Sequence, residues 1–105
     1  LAGNFHASCR DVHLEGARLV ADACNTRGHH VRSEIDLNDC FTNTNGGLHW
    51  AQGGNFAASA RNMRLTEHGR VFEAELGDGR GGWKHNAVNL DERITNEDGR
   101  LILLL

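Results

Sequence analysis

Seven histidines, three cysteines and fourteen acidic side chains are the residues with which this 105-residue chain could do chemistry. His29 and His30 adjoin, and neighbours on an extended chain point to opposite faces, so they do not chelate one ion together. His6, His13, His49, His68 and His85 are scattered, and Cys9, Cys24 and Cys40 lack the C-x-x-C spacing of a zinc site. The sequence therefore predicts neither a metal centre nor a cofactor. A hydrolase is equally unsupported. No G-x-S-x-G elbow occurs. Asp36 and Asp39 have the spacing of a solvated face, and Asp91-Glu92 and Glu97-Asp98 read as turn and cap residues. The glycine-rich stretch from Gly77 to Gly82 lacks the Lys-Ser/Thr ending of a phosphate loop and leads into no helix, so it reads as a hairpin loop. No catalytic residue emerges. What remains are two polar clusters, Thr42-Asn43-Thr44-Asn45 and Thr95-Asn96-Glu97-Asp98. Amides, hydroxyls and carboxylates on rigid turns are the donors and acceptors that sugar hydroxyls need, although turns are built of the same residues for their own reasons.

Composition narrows the partners. Eleven Lys and Arg against fourteen Asp and Glu give a net charge of −3. The two signs are interspersed, so neither nucleic acid nor a membrane surface is an expected partner. Tyr is absent, which removes the usual stacking platform for single strands. The run from Leu101 to Leu105 is too short to span a bilayer and reads as the end of the last strand. Leu1 in place of Met predicts a processed N-terminus.

The elements that must hold the polar clusters come in duplicate. Ile35-Asp36-Leu37-Asn38-Asp39-Cys40-Phe41-Thr42-Asn43-Thr44-Asn45-Gly46-Gly47-Leu48 returns as Val88-Asn89-Leu90-Asp91-Glu92-Arg93-Ile94-Thr95-Asn96-Glu97-Asp98-Gly99-Arg100-Leu101. Upstream, the segment from Asn4 to Leu14 returns as the segment from Asn55 to Leu65. Each copy predicts a strand, a short helical turn, and a strand opened by a tight Asn-x-(Asn/Asp)-Gly turn that demands positive φ. Val31, Ser33, Ile35 and Leu37 alternate with Arg32, Glu34 and Asp36, the period of a half-buried strand. Further strands are predicted from Arg18 to Cys24, Val71 to Leu76 and Trp83 to Leu90. With no Pro and no helical period, the fold class is mostly β and antiparallel. A repeat of about 50 residues is too small to bury its own core, so the copies must share one or exchange strands. Gly53-Gly54 between them reads as a pliable hinge.

Cys9 and Cys24 occur only in the first repeat, with Ala60 and about Leu76 as counterparts. That apolar replacement predicts facing interior positions, which either a disulfide or two buried thiols would satisfy. Cys40, answered by Arg93, reads as a partly exposed free thiol.

The double pattern, Asn-Phe-x-x-Ser-[Cys/Ala]-Arg-[Asp/Asn] followed by Ile/Val-[Asp/Asn]-Leu-[Asn/Asp] and Asn-x-[Asn/Asp]-Gly-x-Leu, resembles cyanovirin-N and its homologues over essentially the whole chain. The resemblance implies two pseudo-symmetric halves, each a three-stranded sheet plus a hairpin, with strands exchanged between repeats. One half would span about 1–41 with 93–105, the other about 42–92. It also implies a non-catalytic lectin for terminal α1,2-linked mannose, with high-mannose oligosaccharides or mannosylated glycoproteins as partners. The expected state is a monomer or, where only one site works and avidity needs a second copy, a homodimer that exchanges strands through the Gly53-Gly54 hinge. A Cys9–Cys24 disulfide carries over with it, and would favour an extracellular, oxidising setting. One sugar site would use Gly3, Asn4, Ala7, Ser8, Asn25, Thr26, Arg27, Asn96, Glu97 and Asp98. The other would use Thr42, Asn43, Asn45, Asn55, Ser59, Gly77, Asp78, Gly79 and Arg80. Ala7 and Asn4 stand where the family pattern has Gln and Lys, Thr42 where it has Glu, and Gly77-Asp78-Gly79 where it has Lys-Thr-Arg, so the first site keeps more of its polar set. The rival expectation is a module that kept the scaffold and lost the sugar.

Overall fold

Ten short strands carry the polar clusters, and the computed structural model describes them over residues 3–105. Leu1, on which the processed N-terminus rests, lies outside the described residues. Strands β1 (Cys9–Glu15), β2 (Arg18–Cys24) and β3 (His30–Asp36) form one antiparallel sheet in the order β1-β2-β3. Strands β4 (Phe41–Thr44) and β5 (Gly47–Trp50) form a hairpin. The second repeat follows the same plan, with β6 (Ala60–Thr66), β7 (Val71–Gly77) and β8 (Trp83–Asn89) in one sheet and β9 (Ile94–Glu97) and β10 (Arg100–Leu103) in a hairpin. Helical structure among the described residues is confined to short 3-10 turns, such as Leu37–Asp39 and Leu90–Glu92. Each of these two is capped by the residue before it: Asp36 accepts from the Asn38 amide, and Asn89 from the Asp91 amide, both at 2.9 Å.

The hairpins change partners. The β9–β10 hairpin lies against β3 of the first repeat, where the Leu101 amide donates to Ser33 Oγ at 3.0 Å. The β4–β5 hairpin lies against β8 of the second repeat, where the Leu48 amide donates to Asn86 Oδ1 at 3.1 Å. Strand exchange answers the size problem of a single repeat. Leu19 and Ala21 of β2, Phe72, Ala74 and Leu76 of β7, and Phe41, Ile94 and Leu101 of the hairpins all enter one buried cluster. Its second-repeat end is aromatic, with Phe41, Phe56 and Phe72 mutually in contact and the Trp50 ring tilted against Phe41 at 4.2 Å between centroids. The resulting body is elongated, 50 × 23 × 18 Å.

Three sequence expectations need correction. Cys9 and Cys24 are free thiols rather than a disulfide. The register sets Cys9 opposite Ala23, one residue short of Cys24. Alternation then sends Cys9 to the core side, where it packs, and Cys24 to the other. The sister strand shows the slip: Ala60 pairs with Leu76, so Leu76 answers Ala23, and Cys24 is answered by Gly77. Cys40 is buried, 1% exposed, instead of partly exposed. It follows the 3-10 turn directly, with its Sγ directed at the Asp36 carbonyl at 3.5 Å, and burial pushes its thiol up to about 12. The Gly53-Gly54 linker is not slack. The Gly53 amide donates to Asp39 O and the Asn55 amide to Asn38 O, each at 2.8 Å. A Cβ on Gly54 would overlap the Phe41 carbonyl, as one on Gly3 would overlap that of Ile94. These glycines serve close approach of two backbones.

Candidate functional site

Each polar cluster forms the turn of a hairpin. Asn45 and Gly46 have φ of 51° and 93°, and Asp98 and Gly99 have 51° and 87°, so both central residues of each turn are left-handed, as a tight two-residue hairpin requires. Each turn is braced by an asparagine two positions earlier. Asn43 accepts from the Gly46 amide at 2.8 Å, and its own amide donates to Ser59 Oγ at 2.7 Å and to the Gly77 carbonyl at 2.9 Å. Asn96 repeats the pattern: it accepts from the Gly99 amide at 2.8 Å and donates to Ser8 Oγ at 2.9 Å and the Cys24 carbonyl at 2.8 Å. The bracing residues tie each hairpin to the strand-end loop of the sheet it lies on.

Those loops are also built alike. Asn25 Oδ1 accepts from the Arg27 and His29 amides at 3.0 Å. Asp78 Oδ1 accepts from the Arg80 amide at 2.7 Å and the Gly82 amide at 3.0 Å. Both are side chains that mimic a turn by bonding amides ahead of them. The amides of Arg80 and Gly82 hold the Asp78 carboxyl below its ordinary range.

The two poles then diverge. At the first, Asp98 accepts from both the amide and the hydroxyl of Thr26 at 2.9 Å, which holds its carboxyl below the usual range and closes the turn onto the loop. At the second, Gly79 stands where Thr26 stands in the first repeat, and no such clasp forms with Asn45. An open groove of ≈ 420 Å³ remains, lined by Asn43, Asn45, Ser59, Gly77, Asp78 and Gly79.

The expected residues therefore come together in two groups. At the first pole Asn4, bridged to Thr95, joins Ser8, Asn25, Thr26, Asn96 and Asp98. Ala7, Arg27 and Glu97 are exposed beside them, and Gly3 is buried under the crossing of two backbones. At the second pole Asn43, Asn45, Ser59, Gly77, Asp78 and Gly79 share the groove, and Arg80 lines an adjoining recess. Asn55 bonds instead to Asn38, whose amide donates to its Oδ1 at 2.7 Å, and Thr42 is half-buried in β4. Sequence reasoning missed Lys84, which lines the recess with Asn45, Asp78 and Arg80. The signal was present in the repeat itself, since Lys84 holds the station that Val31 holds in the first copy.

The CVNH domain model matches residues 5–102. A cyanovirin-N homolog of Tuber borchii is 36% identical over 88 residues, covering 83% of this chain and 84% of the relative. The solved structure of GzCVNH from Gibberella zeae has 40% identity and a TM-score of 0.86, covering 98% of this chain and 99% of its own. A MoCVNH3 variant, solved in complex with (N-GlcNAc)4, has 33% identity and a TM-score of 0.93 over 97% of each chain. With its duplicated strand-exchanged sheets and these relatives, the chain belongs to the CVNH family, which is one of lectins and not of enzymes.

Proposed function

We propose that this chain is a carbohydrate-binding lectin that takes the terminal α1,2-linked mannose of high-mannose glycans at two shallow polar sites. The observation that carries the reading is the groove between the β4–β5 turn and the loop after β7, walled by amide, hydroxyl and carboxylate groups and by glycine backbone. Such a wall offers hydrogen bonds in several directions, which suits a ring bearing hydroxyls on every side. The same construction at the other pole, with Thr26 and Asp98 in place of Gly79 and Asn45, supports a second site there. A relative solved with an oligosaccharide supports the ligand class. In this reading each site belongs to one pseudo-half, about 1–41 with 93–105 or about 42–92. High-mannose oligosaccharides and mannosylated glycoproteins are the partners. Two weak sites on one rigid body gain on a branched glycan through effective concentration.

The test is a heteronuclear NMR titration with α1,2-mannobiose. Amide shifts are expected at Asn45, Asp78 and Gly79 for the second pole, and at Asn4, Thr26 and Asp98 for the first. No shift at either pole at millimolar sugar would leave a scaffold without the lectin activity. Arg27, exposed and contributing only its backbone amide to the loop, supplies the matching variant. Arg27→Ala is expected to weaken the first pole by about tenfold, the worth of one charge-assisted hydrogen bond, with the spectrum otherwise unchanged.

A further inference from the structure

The two poles are copies, so each difference between them is a controlled comparison within one molecule. Strands β3 and β8 begin at His30 and Trp83, which makes Val31 and Lys84 sister positions. Both side chains pack on the glycine of the hairpin turn that faces them. A Cβ on Gly99 would come within 2.6 Å of Val31 Cγ2, and one on Gly46 within 2.8 Å of Lys84 Cδ. The apolar stem of Lys84 thus takes the seat of the valine, and a long side chain seated by its methylenes presents its ammonium to water. Lys84 lines a recess of ≈ 470 Å³ with Asn45, Asp78 and Arg80. Asn45 and Asp78 also line the sugar groove, so the two adjoin.

The poles differ in charge, the first balanced and the second with an excess cation. The first carries two cations, Arg27 and Arg100, the latter directly opposite Glu97 in the hairpin, and two carboxylates, Glu97 and Asp98. The second carries two cations, Arg80 and Lys84, beside one carboxylate. That carboxylate, Asp78, is already engaged by two backbone amides. None of the ion pairs among the described residues uses Arg80 or Lys84. Lys84 lies near enough to Asp78 to help lower its carboxyl, yet neither it nor Arg80 is closed into an ion pair, and an Arg and a Lys so placed on the rim of a groove for hydroxyls form a receptor for an anionic ester.

We propose that the second pole selects mannosides bearing an anionic ester group, phosphate or sulfate, and that Lys84 confers this selectivity, which the first pole lacks. The inference rests on the carbohydrate-binding reading above and names the sugar class for one of its two sites.

The experiment titrates the full chain with α1,2-mannobiose, with its 6-phosphate and 6-sulfate on the terminal residue, and with inorganic phosphate alone. Amide shifts at Asn45, Gly79 and Lys84 report the second pole, and those at Thr26 and Asp98 the first. At low salt the phosphorylated or sulfated disaccharide is expected to bind the second pole about tenfold tighter than the neutral one. The preference should shrink as ionic strength rises and be absent at the first pole. The phosphate and sulfate arms separate the two sources of charge, and preference for either one supports the inference. Lys84→Val, which copies the first pole, and Lys84→Gln, which keeps the stem, should each cut the ratio of anionic to neutral affinity to about threefold or less. Three results would overturn the inference alone: neutral and anionic sugars bound equally, a ratio untouched by both Lys84 variants, or inorganic phosphate bound as tightly as the phosphorylated sugar. Binding of no sugar at either pole would overturn the carbohydrate reading and this inference with it.

Discussion

Asn43 and Asn96 show how a side chain that looks like a ligand contact can be spent on architecture. Each uses its carbonyl on a turn amide and both amide hydrogens on the neighbouring strand end and helical turn. Truncation leaves partly buried donors and acceptors unpaired. Asn96→Ala should therefore cost about 2 to 3 kcal/mol of stability in urea denaturation, whatever it does to sugar binding. The cysteines argue similarly. Burial raises the Cys9 thiol to about 11 and the Cys40 thiol to about 12, so neither offers much thiolate at neutral pH. Native protein at pH 7.5 should leave both unmodified by iodoacetamide. Denatured protein without reductant should take up three alkyl groups by mass, since all three thiols are free.

At the scale of elements, the close crossings matter more than propensity. Gly54 lets the chain leave the first hairpin directly against the Phe41 carbonyl, and Gly3 does the same at Ile94. Gly54→Ala inserts a methyl group into backbone and should cost about 3 kcal/mol, read from the shift in denaturation midpoint. The outer face of the second sheet is held by charge. Glu73 accepts from Thr66 Oγ1 at 2.7 Å, His85 Nε2 at 2.8 Å and Arg64 at 3.1 Å, and these bonds lower its carboxyl from the usual 4.5 to about 2. A carboxyl depressed on folding adds stability that is complete above the unfolded value and is lost as pH falls through the folded one. Native stability should therefore decline between about pH 4.5 and pH 2, and Glu73→Gln should flatten that decline in urea titrations at successive pH values.

For the whole molecule, exchange of hairpins makes the halves inseparable. Phe41 and Ile94 each sit in the same buried cluster as the sheet of the opposite repeat. Unfolding should be a single transition, with coincident midpoints for far-ultraviolet dichroism and for tryptophan fluorescence of a Trp83→Phe variant, in which Trp50 reports the aromatic end of the core. Two resolved transitions would mean that the halves are independent. The pairing of one closed pole with one open pole also gives the molecule two unlike faces, which is where the difference between Thr26 and Gly79 acquires its effect.

The amino-acid order alone determined the duplication, the antiparallel strands and the two left-handed turns, because period-two alternation and the Asn-x-(Asn/Asp)-Gly demand for positive φ are local properties. It also carried the polar residues of both poles, since copies of one motif announce their own equivalences. Tertiary structure decided what local rules do not reach. The face of Cys24 depended on a one-residue register that the shift between Arg10 and His13 in β1 left obscure to spacing. The rigidity of Gly53-Gly54 came from backbone bonds to the preceding turn. The spending of Asn43 and Asn96 on bracing, and the seat of Lys84 beside the groove, arise where a hairpin of one repeat meets the sheet of the other, and contacts between segments so distant in sequence exist only once the chain is folded.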